Sequence, residues 1–374
     1  MADRLAGLRP GDPAPARPGG RGTHRRLHPH RHAQARHPRA HPPRSAATAQ
    51  RLDPAAANGC GAARMSDGRA RPTLYLVDAS LYVFRAWHSM PDEFHDADGW
   101  PTNAVHGFAR FLLELLERAR PQHIAVAFDE ALDSCFRNAL YPAYKANREP
   151  APEALKRQFG HCKTLCGALG LATLAHREYE ADDLIGSALH RARARGHRGV
   201  IVSADKDLSQ LLGADDEQWD FARGQRWGAA GVKARHGVDA HQIADYLALC
   251  GDAVDNIPGV PGIGAKTAAV LLAHFGSLDA LLARIDEIPF LRFRGAAAAA
   301  PKLRAHREQA LLCRQLSTIA LDAPLDTPLD HDRDFTRAAA DASGLRALCD
   351  TLGFGPLTRR RLHEAAGLDY ATPQ

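Results

Sequence analysis

Three short apolar runs that each reach an aspartate constrain the fold of this chain most strongly. The runs are LYLVDA at residues 74–79, IAVAFD at 124–129 and GVIVSAD at 199–205, and stretches with apolar residues three and four positions apart lie between them. Buried strands that alternate with helices predict a parallel sheet in an α/β fold. The carboxyl ends of such strands meet at one edge, where open α/β sheets bind ligands, so we expect the three aspartates to converge there.

Composition divides the chain into four regions. The first is rich in Arg, Pro and His without an apolar period, which predicts a disordered basic leader, and Met65 is an alternative true start. The second holds the strands and helices, the third is helical and glycine-rich, and the fourth is mostly helical after GAAAAAP, a flexible or weakly helical stretch. The regions are residues 1–72, 73–236, 237–296 and 297–374.

The net charge of +5 comes from the leader. The first 50 residues hold ten arginines against Asp3 and Asp12, a balance of +8, so the rest of the chain carries 5 − 8 = −3. The basic composition is therefore poor support for a nucleic-acid partner, and an anion-binding surface must be a local patch. A basic nucleic-acid-binding arm is the alternative function of the leader.

Membrane and secreted proteins are excluded by the apolar pattern. No apolar run approaches the roughly 20 residues that span a bilayer, and the N-terminus has no apolar stretch of a secretory signal. The seven cysteines are scattered, and the spacing of Cys162 and Cys166 on one helix face has no second pair to complete a zinc site. We therefore expect reduced thiols in a cytoplasmic protein.

Nine acidic residues carry the strongest chemical signal. Each one alone has an ordinary structural interpretation, such as Asp183 at a helix N-terminus or Asp207 as a cap. If they lie together, each pair of charges ~4 Å apart repels by about 4 kcal/mol, so a fold that gathers these acids requires cations. Oxygen ligands without His or Cys favour Mg²⁺ or Mn²⁺, and two such ions form the clamp used in phosphodiester hydrolysis. The acids are Asp78, Asp129, Glu180, Asp182, Asp183, Asp205, Asp207, Asp252 and Asp255.

The second signal is the glycine-rich turn PGVPGIGAKTA at residues 258–268. Glycines let a backbone approach a ligand, and the N–H groups at the start of the next helix bind anions. This pattern is typical of a helix–hairpin–helix unit that holds a DNA phosphate without reading bases. It is not a Walker loop, because Lys266 stands two residues after Gly264 instead of one. The expected contacts are Gly259, Gly262, Gly264, Lys266 and Thr267.

The third signal is FRNALYPAYKANR at residues 136–148. It interleaves cations with tyrosines, which suits a single-stranded nucleic acid because charges bind phosphate and rings stack on bases. The alternative is a solvated basic helix that is packed by its tyrosines. The side chains concerned are Arg137, Tyr141, Tyr144, Lys145 and Arg148.

In their order along the chain, these motifs resemble the 5′-nuclease family. VDAS, AFDE, FRNALYPAYKANR, EYEADDLIGSAL, IVSADKDLSQLL and GDAVDNIPGVPGIGAKTA carry the resemblance, which covers residues 74–321. The family includes the N-terminal domain of bacterial DNA polymerase I, bacterial 5′–3′ exonucleases and flap endonucleases. The resemblance implies a PIN-like nuclease core with a helical arch at 132–160 and a helix–hairpin–helix subdomain. The tail after it resembles the segment that follows the nuclease part in DNA polymerase I. Because the chain stops there, we expect a stand-alone enzyme or a stand-alone open reading frame.

The resemblance also implies two metal sites, with Asp182 shared between them. The first site would use Asp78, Asp129, Glu180 and Asp182. The second would use Asp182, Asp183, Asp205, Asp207, Asp252 and Asp255.

Roles in DNA binding are implied in the same way. Lys145 and Arg148 resemble the basic pair that contacts the scissile phosphate, so they join Asp182 as expected catalytic residues. Tyr144 resembles the ring that stacks on the terminal base. The hairpin at 259–264 resembles the duplex-binding unit, which also binds K⁺ through carbonyls. Arg85 and Arg137 complete the expected DNA contacts.

The expected function is therefore a monomeric, Mg²⁺-dependent 5′–3′ exonuclease and flap endonuclease of DNA replication and repair. Its two-metal mechanism would give 5′-phosphate and 3′-hydroxyl products, and Mn²⁺ would substitute for Mg²⁺. One alternative is a module that binds branched DNA without cutting it, against which the complete set of acids argues. Another is a family member that removes primers from RNA–DNA hybrids.

Overall fold

The computed structural model describes residues 71–130, 135–325 and 335–370. The predicted leader, apart from its last two residues, lies outside the described residues. Within them, no helix is long and apolar enough to cross a membrane.

A six-stranded sheet forms the centre of the N-terminal part. Its order is β3-β2-β1-β4-β5-β6, and every neighbouring pair is parallel except the antiparallel pair β5 and β6. The predicted, mostly parallel sheet is thus confirmed. The strands are β1 (Thr73–Asp78), β2 (His123–Asp129), β3 (Ala172–His176), β4 (Arg198–Val202), β5 (Glu217–Asp220) and β6 (Gln225–Gly228).

Helices cover both faces of this sheet. Because side chains alternate along a strand, Val77 packs with one helical layer, while Leu74 and Leu76 pack with the other. The helices of the core are α1 (Ala79–Ser89), α2 (Asn103–Ala119), α3 (Phe136–Leu140), α4 (Glu153–Ala168), α5 (Ala181–Ala194) and α6 (Ala229–His236). Buried residues of α1, α2 and α4 lie on the first face, and those of α5 lie on the second.

A helical unit follows the core and shares the α5-side hydrophobic cluster. It contains α7 (Ile243–Cys250), α8 (Ala265–Phe275), α9 (Leu278–Ala283), α10 (Ala296–Ala305) and α11 (Arg307–Ser317). Three 3₁₀ helices complete the described middle part, at Asp207–Leu211, Ala240–Gln242 and Ile285–Phe290. In the described residues 335–370, α12 (Ala342–Thr351) and α13 (Pro356–Ala365) belong to the other cluster, with α1, α2 and α4.

The stretch GAAAAAP, predicted to be flexible or weakly helical, forms the start of a regular helix. In α10 the side chains of Ala299, Ala300 and Leu303 are buried in the shared cluster. Tertiary packing therefore stabilises a segment whose sequence carries little amphipathic pattern of its own.

The strand ends bring the aspartates to one edge. Asp78 is the last residue of β1 and pairs in register with Ala127 of β2, two residues before Asp129. Asp205 follows the end of β4 by three residues, and β4 is the other neighbour of β1. The three acids predicted to converge therefore lie on adjacent strands at the same edge.

Candidate active site

Asp78 is the central acid of the sheet edge. It caps α1, because the Leu81 N–H donates to its Oδ1 at 3.2 Å, and Ser203 Oγ donates to its Oδ2 at 2.9 Å. Burial raises the pKa of Asp78 to about 6, and the charges of Asp205 and Asp129 add to this, against the lowering effect of the two hydrogen bonds. The charged form is thus destabilised by its neighbours.

Asp182 faces the same group from the first turn of α5. Burial raises its pKa well above the usual range, and the nearby charges of Asp205 and Asp78 raise it further, only partly offset by Lys145. Four carboxyl groups from β1, β2, α5 and the loop after β4 therefore repel one another. Such crowding is favourable only with added positive charge.

A second acid group, Asp207, Asp252 and Asp255, joins the core to the loop between α7 and α8. Backbone hydrogen bonds of 2.8 Å in both directions between Asp252 and Ile257 close this loop. Burial raises the pKa of Asp207 well above its usual range, and the charges of Asp205, Asp252 and Asp255 raise it further. The Oδ1 atom of Asp207 is buried and makes no hydrogen bond with any described residue.

Cations of this chain bridge the acids of the two parts. Lys145 Nζ lies 2.5 Å from Glu180 Oε1 and 3.7 Å from Asp255 Oδ2. Arg148 Nη2 lies 2.6 Å from Asp255 Oδ1. Lys206 Nζ lies 2.7 Å from one oxygen of Asp252. These three side chains therefore help to tie the loop between α7 and α8 to the N-terminal core.

These ion pairs set the charge states of their members. Burial opposes the charge of Glu180, but Lys145 and Arg137 outweigh it and hold its pKa below the usual range. Burial likewise opposes the charge of Lys145, and Glu180 and Asp255 raise its pKa above the ordinary value. Glu180 and Lys145 thus form a charged pair at neutral pH.

The acids fit a divalent cation, although the described residues do not form a ready-made cage. Among them, no three His, Cys, Asp or Glu side chains are already grouped closely enough to hold a metal ion. The donor set is nonetheless all oxygen, as Mg²⁺ requires. The buried Oδ1 of Asp207 makes no hydrogen bond with a described residue, and a cation would stabilise the charged forms of Asp78 and Asp182, which burial and neighbouring carboxylates disfavour.

A cavity of about 1150 Å³ lies beside the acids. Its lining includes the acids of the sheet edge with Glu180 and Lys145. Phe84, His88 and Lys156 also line the cavity and were missed in the sequence. Phe84 and His88 stand four residues apart in α1, and this helical spacing after Asp78 was the available signal. The predicted Arg85 lines the same cavity and is exposed.

The glycine-rich turn precedes α8 as predicted. Gly259 and Gly262 adopt left-handed φ values of 63° and 74°, and a Cβ atom at Gly259 would clash with the backbone of Gly251. Gly264 caps α8, whose first turn contains Lys266 and Thr267. Lys266 is exposed and forms no ion pair with another described residue, so its ammonium group is open to an anion.

The backbone carbonyls of Gly259 and Gly262 in this turn each accept a hydrogen bond from a side chain. Gln309 Nε2 donates to the Gly259 carbonyl at 2.6 Å, and Lys302 Nζ donates to the Gly262 carbonyl at 3.1 Å. Lys302 lies in α10 and Gln309 lies in α11, so these two helices hold the turn in place.

Comparison with known protein families gives two adjoining matches. The family model of the N-terminal, resolvase-like domain of 5′–3′ exonucleases matches residues 73–237. The model of the C-terminal SAM fold of 5′–3′ exonucleases matches residues 238–341.

The chain belongs to the 5′–3′ exonuclease family.

Curated relatives of this exonuclease-family chain include two bacterial DNA polymerases I. The enzyme of Rhizobium leguminosarum is 39% identical over 305 residues, which cover 80% of this chain and 29% of the relative. That of Pseudomonas aeruginosa is 43% identical over 259 residues, which cover 69% of this chain and 28% of the relative. The chain thus spans less than a third of the length of these relatives.

Solved structures share the exonuclease fold. One is a T5 5′-exonuclease described with bound zinc, which matches with a TM-score of 0.54 at 20% identity, over 79% of this chain and 99% of that one. Another is the catalytic core of Rad2 in complex with DNA substrate, with a TM-score of 0.53 at 16% identity, over 79% of this chain and 91% of that one.

Two residues of the expected site have structural roles in this exonuclease-family chain. Asp183 is fully buried, and Arg137 donates to both of its oxygens at 2.7 and 2.8 Å. The same two oxygens accept the N–H groups of Glu180 and Ala320. All four lone pairs of Asp183 are therefore engaged in this structure, which argues against the expected role as a metal ligand. Arg137 is 2% exposed and engaged with these partners, which argues against its expected contact with DNA.

Tyr144 also differs from expectation. Its side chain is 3% exposed, and its hydroxyl donates to Glu180 Oε2 at 2.9 Å. Burial raises its pKa above the usual range, with Glu180 and Asp255 adding to the effect. In this structure the hydroxyl of Tyr144 positions Glu180, and the burial of the ring argues against the expected stacking on a base. Lys145 and Arg148, which follow it, lie in turns before α4 and not on a helix.

Proposed function

We propose that the chain is a Mg²⁺-dependent 5′–3′ exonuclease and structure-specific flap endonuclease that hydrolyses DNA phosphodiesters in replication and repair. The observation that carries the proposal is that five acids, Asp78, Asp129, Glu180, Asp182 and Asp205, line one cavity, and that Asp205 also neighbours Asp207 of the second acid group. Lys145 and Arg148 border the same cavity. Phosphodiester hydrolysis needs acidic side chains that hold metal ions and cationic side chains that bind the phosphate.

Two Mg²⁺ ions would be held by eight of the nine acids, without Asp183. The first ion would use Asp78, Asp129, Glu180 and Asp182, and the second would use Asp182, Asp205, Asp207, Asp252 and Asp255. When bound, Mg²⁺ supplies the Lewis acid that polarises the phosphoryl oxygens and lowers the pKa of the attacking water. Mn²⁺ would substitute, since it accepts the same oxygen ligands.

The side chains of the chain itself would bind and orient the substrate. Lys145 and Arg148 would hold the scissile phosphate, and Lys145 would stabilise the negative charge that builds on its oxygens in the transition state. The turn at 259–264 with Lys266 would hold a phosphate of the duplex. Hydrolysis would leave a 5′-phosphate and a 3′-hydroxyl.

A K⁺ ion at the turn is a further proposal. It would have to use carbonyls other than those of Gly259 and Gly262, or displace Gln309 and Lys302 from them. Comparing duplex affinity in K⁺ and in Na⁺ at equal ionic strength tests this. An affinity that differs by less than twofold would contradict a specific K⁺ site.

The proposed function is tested on a labelled 5′-flap duplex. The wild-type chain should cleave it in Mg²⁺ and not in EDTA, and Asp182→Ala should abolish cleavage while sparing DNA binding. Asp215→Ala is the matched control, because Asp215 is an exposed acid paired with Arg71 away from the cavity. Retained Asp182→Ala activity within tenfold of the wild type would overturn the assignment.

The same assay separates the alternatives. Binding of the flap without Mg²⁺-dependent cleavage would identify a non-cleaving module for branched DNA. Faster cleavage of an RNA-primed duplex than of the DNA flap would identify a primer-removing enzyme. Sedimentation of the chain with and without the flap tests the proposed monomeric state.

A further inference from the structure

Lys206 stands between the two parts of the second acid group. Its Nζ lies 2.7 Å from Asp252 Oδ2 and 4.0 Å from Asp207 Oδ1. Asp207 belongs to the core, whereas Asp252 belongs to the loop between α7 and α8. The ammonium group therefore supplies positive charge where two acids from different parts of the chain meet.

The partners of Lys206 are buried, while Lys206 itself is accessible. The side chain of Asp252 is 6% exposed and that of Asp207 is 14% exposed, but that of Lys206 is 39% exposed. Lys206 thus reaches in from the surface, and its flexible stem has room to swing outwards. Both acids near its ammonium group, Asp252 and Asp207, are proposed to hold the second ion.

The second observation concerns Asp207. Its Oδ1 is buried and makes no hydrogen bond with a described residue, since Lys206 Nζ at 4.0 Å is too far to donate. One ammonium group therefore neutralises the pair Asp207 and Asp252 incompletely. A divalent ion would contact both acids and satisfy this oxygen.

We propose that Lys206 is an internal counter-cation of the second acid group: it holds Asp252 against the core when no divalent ion is bound, and it leaves when the ion binds. The inference rests on the proposed function, because it assumes that these acids hold an ion. Lys206 would thus set the affinity of the second ion without contacting the scissile phosphate.

The choice of lysine supports an exchangeable contact. The chain has seven lysines against 41 arginines, yet lysine stands at this position. Arginine binds a carboxylate through a rigid two-pronged fork, whereas lysine is a point charge on a flexible stem. Lys145 is different, since its side chain is only 20% exposed and also contacts the Tyr144 ring at 5.1 Å. We expect Lys145 to stay in place and Lys206 to move.

Binding of Mn²⁺ tests the proposal without cleavage as a readout. Mn²⁺ is titrated into the full chain, Lys206→Met and Lys206→Arg, and the free ion is followed by electron paramagnetic resonance. Lys206→Met should bind the second ion about tenfold more tightly. The reason is that the wild type must break one charge-assisted hydrogen bond, between Lys206 and Asp252, when the ion binds, whereas the variant has none to break. Binding of the first ion should change much less, and Lys206→Arg should not tighten either site.

A melting experiment gives an independent readout. In EDTA, Lys206→Met should melt below the wild type, because Asp207 and Asp252 lose their counter-charge. In saturating Mg²⁺ the two should melt at similar temperatures, so the gain from Mg²⁺ should be larger in the variant. Lys233→Met is the matched control, since Lys233 pairs with Asp239 outside the acid groups and should change neither measurement.

The outcomes separate this inference from the proposed function. Unchanged or weaker binding of the second ion by Lys206→Met, with wild-type cleavage intact, overturns the counter-cation role alone. If Lys206→Met fails to fold, Lys206→Gln replaces it under the same criteria. Absence of Mn²⁺ binding and of cleavage in the wild type overturns both proposals.

Discussion

Lys145 has an unusual backbone conformation for a residue with a side chain. Its φ of 53° is in the left-handed region, which non-glycine residues enter at a cost. Its N–H donates to the Asp255 carbonyl at 3.0 Å, and its Nζ reaches Glu180. Backbone and side chain are thus both fixed at the border of the cavity.

Replacing Lys145 should therefore impair the chemical step more than binding. Lys145→Ala should lower the single-turnover cleavage rate of a flap by about 10²–10³, as expected for loss of one preorganised donor. Duplex affinity should change much less, because the turn before α8 supplies a separate contact. Lys145→Arg should restore only part of the rate, since guanidinium is planar and bulkier. An unchanged rate constant for Lys145→Ala would remove this residue from the active site.

Arg137 illustrates a different role within the same motif. Besides Asp183, it donates to the carbonyls of Leu316 and Thr318 at 2.8 and 2.9 Å, and so joins α3 to the end of α11. Arg137→Ala should destabilise the fold by about 3–5 kcal/mol, because it leaves the buried Asp183 without its partner. Urea denaturation measures this loss.

The control for Arg137 is the exposed Arg85. Arg85→Ala should leave the free energy of unfolding within about 0.5 kcal/mol of the wild type, as is usual for surface positions, and should weaken flap binding. If Arg137→Ala kept full stability and lost only DNA affinity, the original DNA-binding interpretation would be correct.

Sequence predicted the chemistry of single residues better than their surroundings. The motif FRNALYPAYKANR predicted three cations near a nucleic acid, yet Arg137 is buried while Arg148 is exposed. The difference depends on Leu316 and Thr318, about 180 positions away along the chain. Local spacing carries no information about such distant partners.

At the scale of the element, the turn before α8 should be the duplex anchor. Lys266→Ala should weaken duplex binding equally for different sequences, because a phosphate contact carries no base information. The slope of log affinity against log salt should fall by about one for the lost contact. Lys233→Ala on α6 serves as a control of equal charge. A sequence-dependent loss, or an unchanged slope, would count against the anchor.

Elements with a strong apolar period were predicted correctly from sequence. The runs at β1, β2 and β4 are fully apolar and reach aspartates, so both their strand character and their shared edge were predicted. The start of α10 was less clear, because a run of alanines has no polar face from which to read a period. Its burial in the α5-side cluster decides its structure, and sequence alone does not reveal this packing.

At the scale of the whole molecule, the acids that would bind metal should destabilise the metal-free chain. Folding raises the pKa of Asp78 from 3.8 to about 6, mainly through burial. The contribution of protonated Asp78 to stability is therefore fully present below pH 3.8, and it is lost as the pH rises through 6. Asp182 and Asp207 shift in the same direction. In EDTA the melting temperature should fall between pH 4 and pH 7.

Asp182→Asn tests this balance, because it removes one charge with little change of shape. In EDTA at pH 7.5 it should stabilise the chain by roughly 0.5–2 kcal/mol, the range typical of relieved repulsion. At pH 4 the gain should be much smaller, and cleavage should be lost at every pH. A lower melting temperature at pH 7.5 would show that Asp182 makes favourable contacts that outweigh the repulsion.

The last prediction concerns the contribution of residues 1–64 to the whole molecule. They have no apolar period, and the buried hydrophobic residues described in the structure begin at Leu74. A chain that starts at Met65 should therefore melt within about 2 °C of the full chain, since lost surface residues usually change stability by less than about 0.5 kcal/mol. It should also cleave a flap at the same single-turnover rate. A melting temperature ten degrees lower would contradict this prediction. A loss of DNA affinity confined to low salt would instead identify the arginines of this segment as an electrostatic arm, because screening removes such contacts at higher ionic strength.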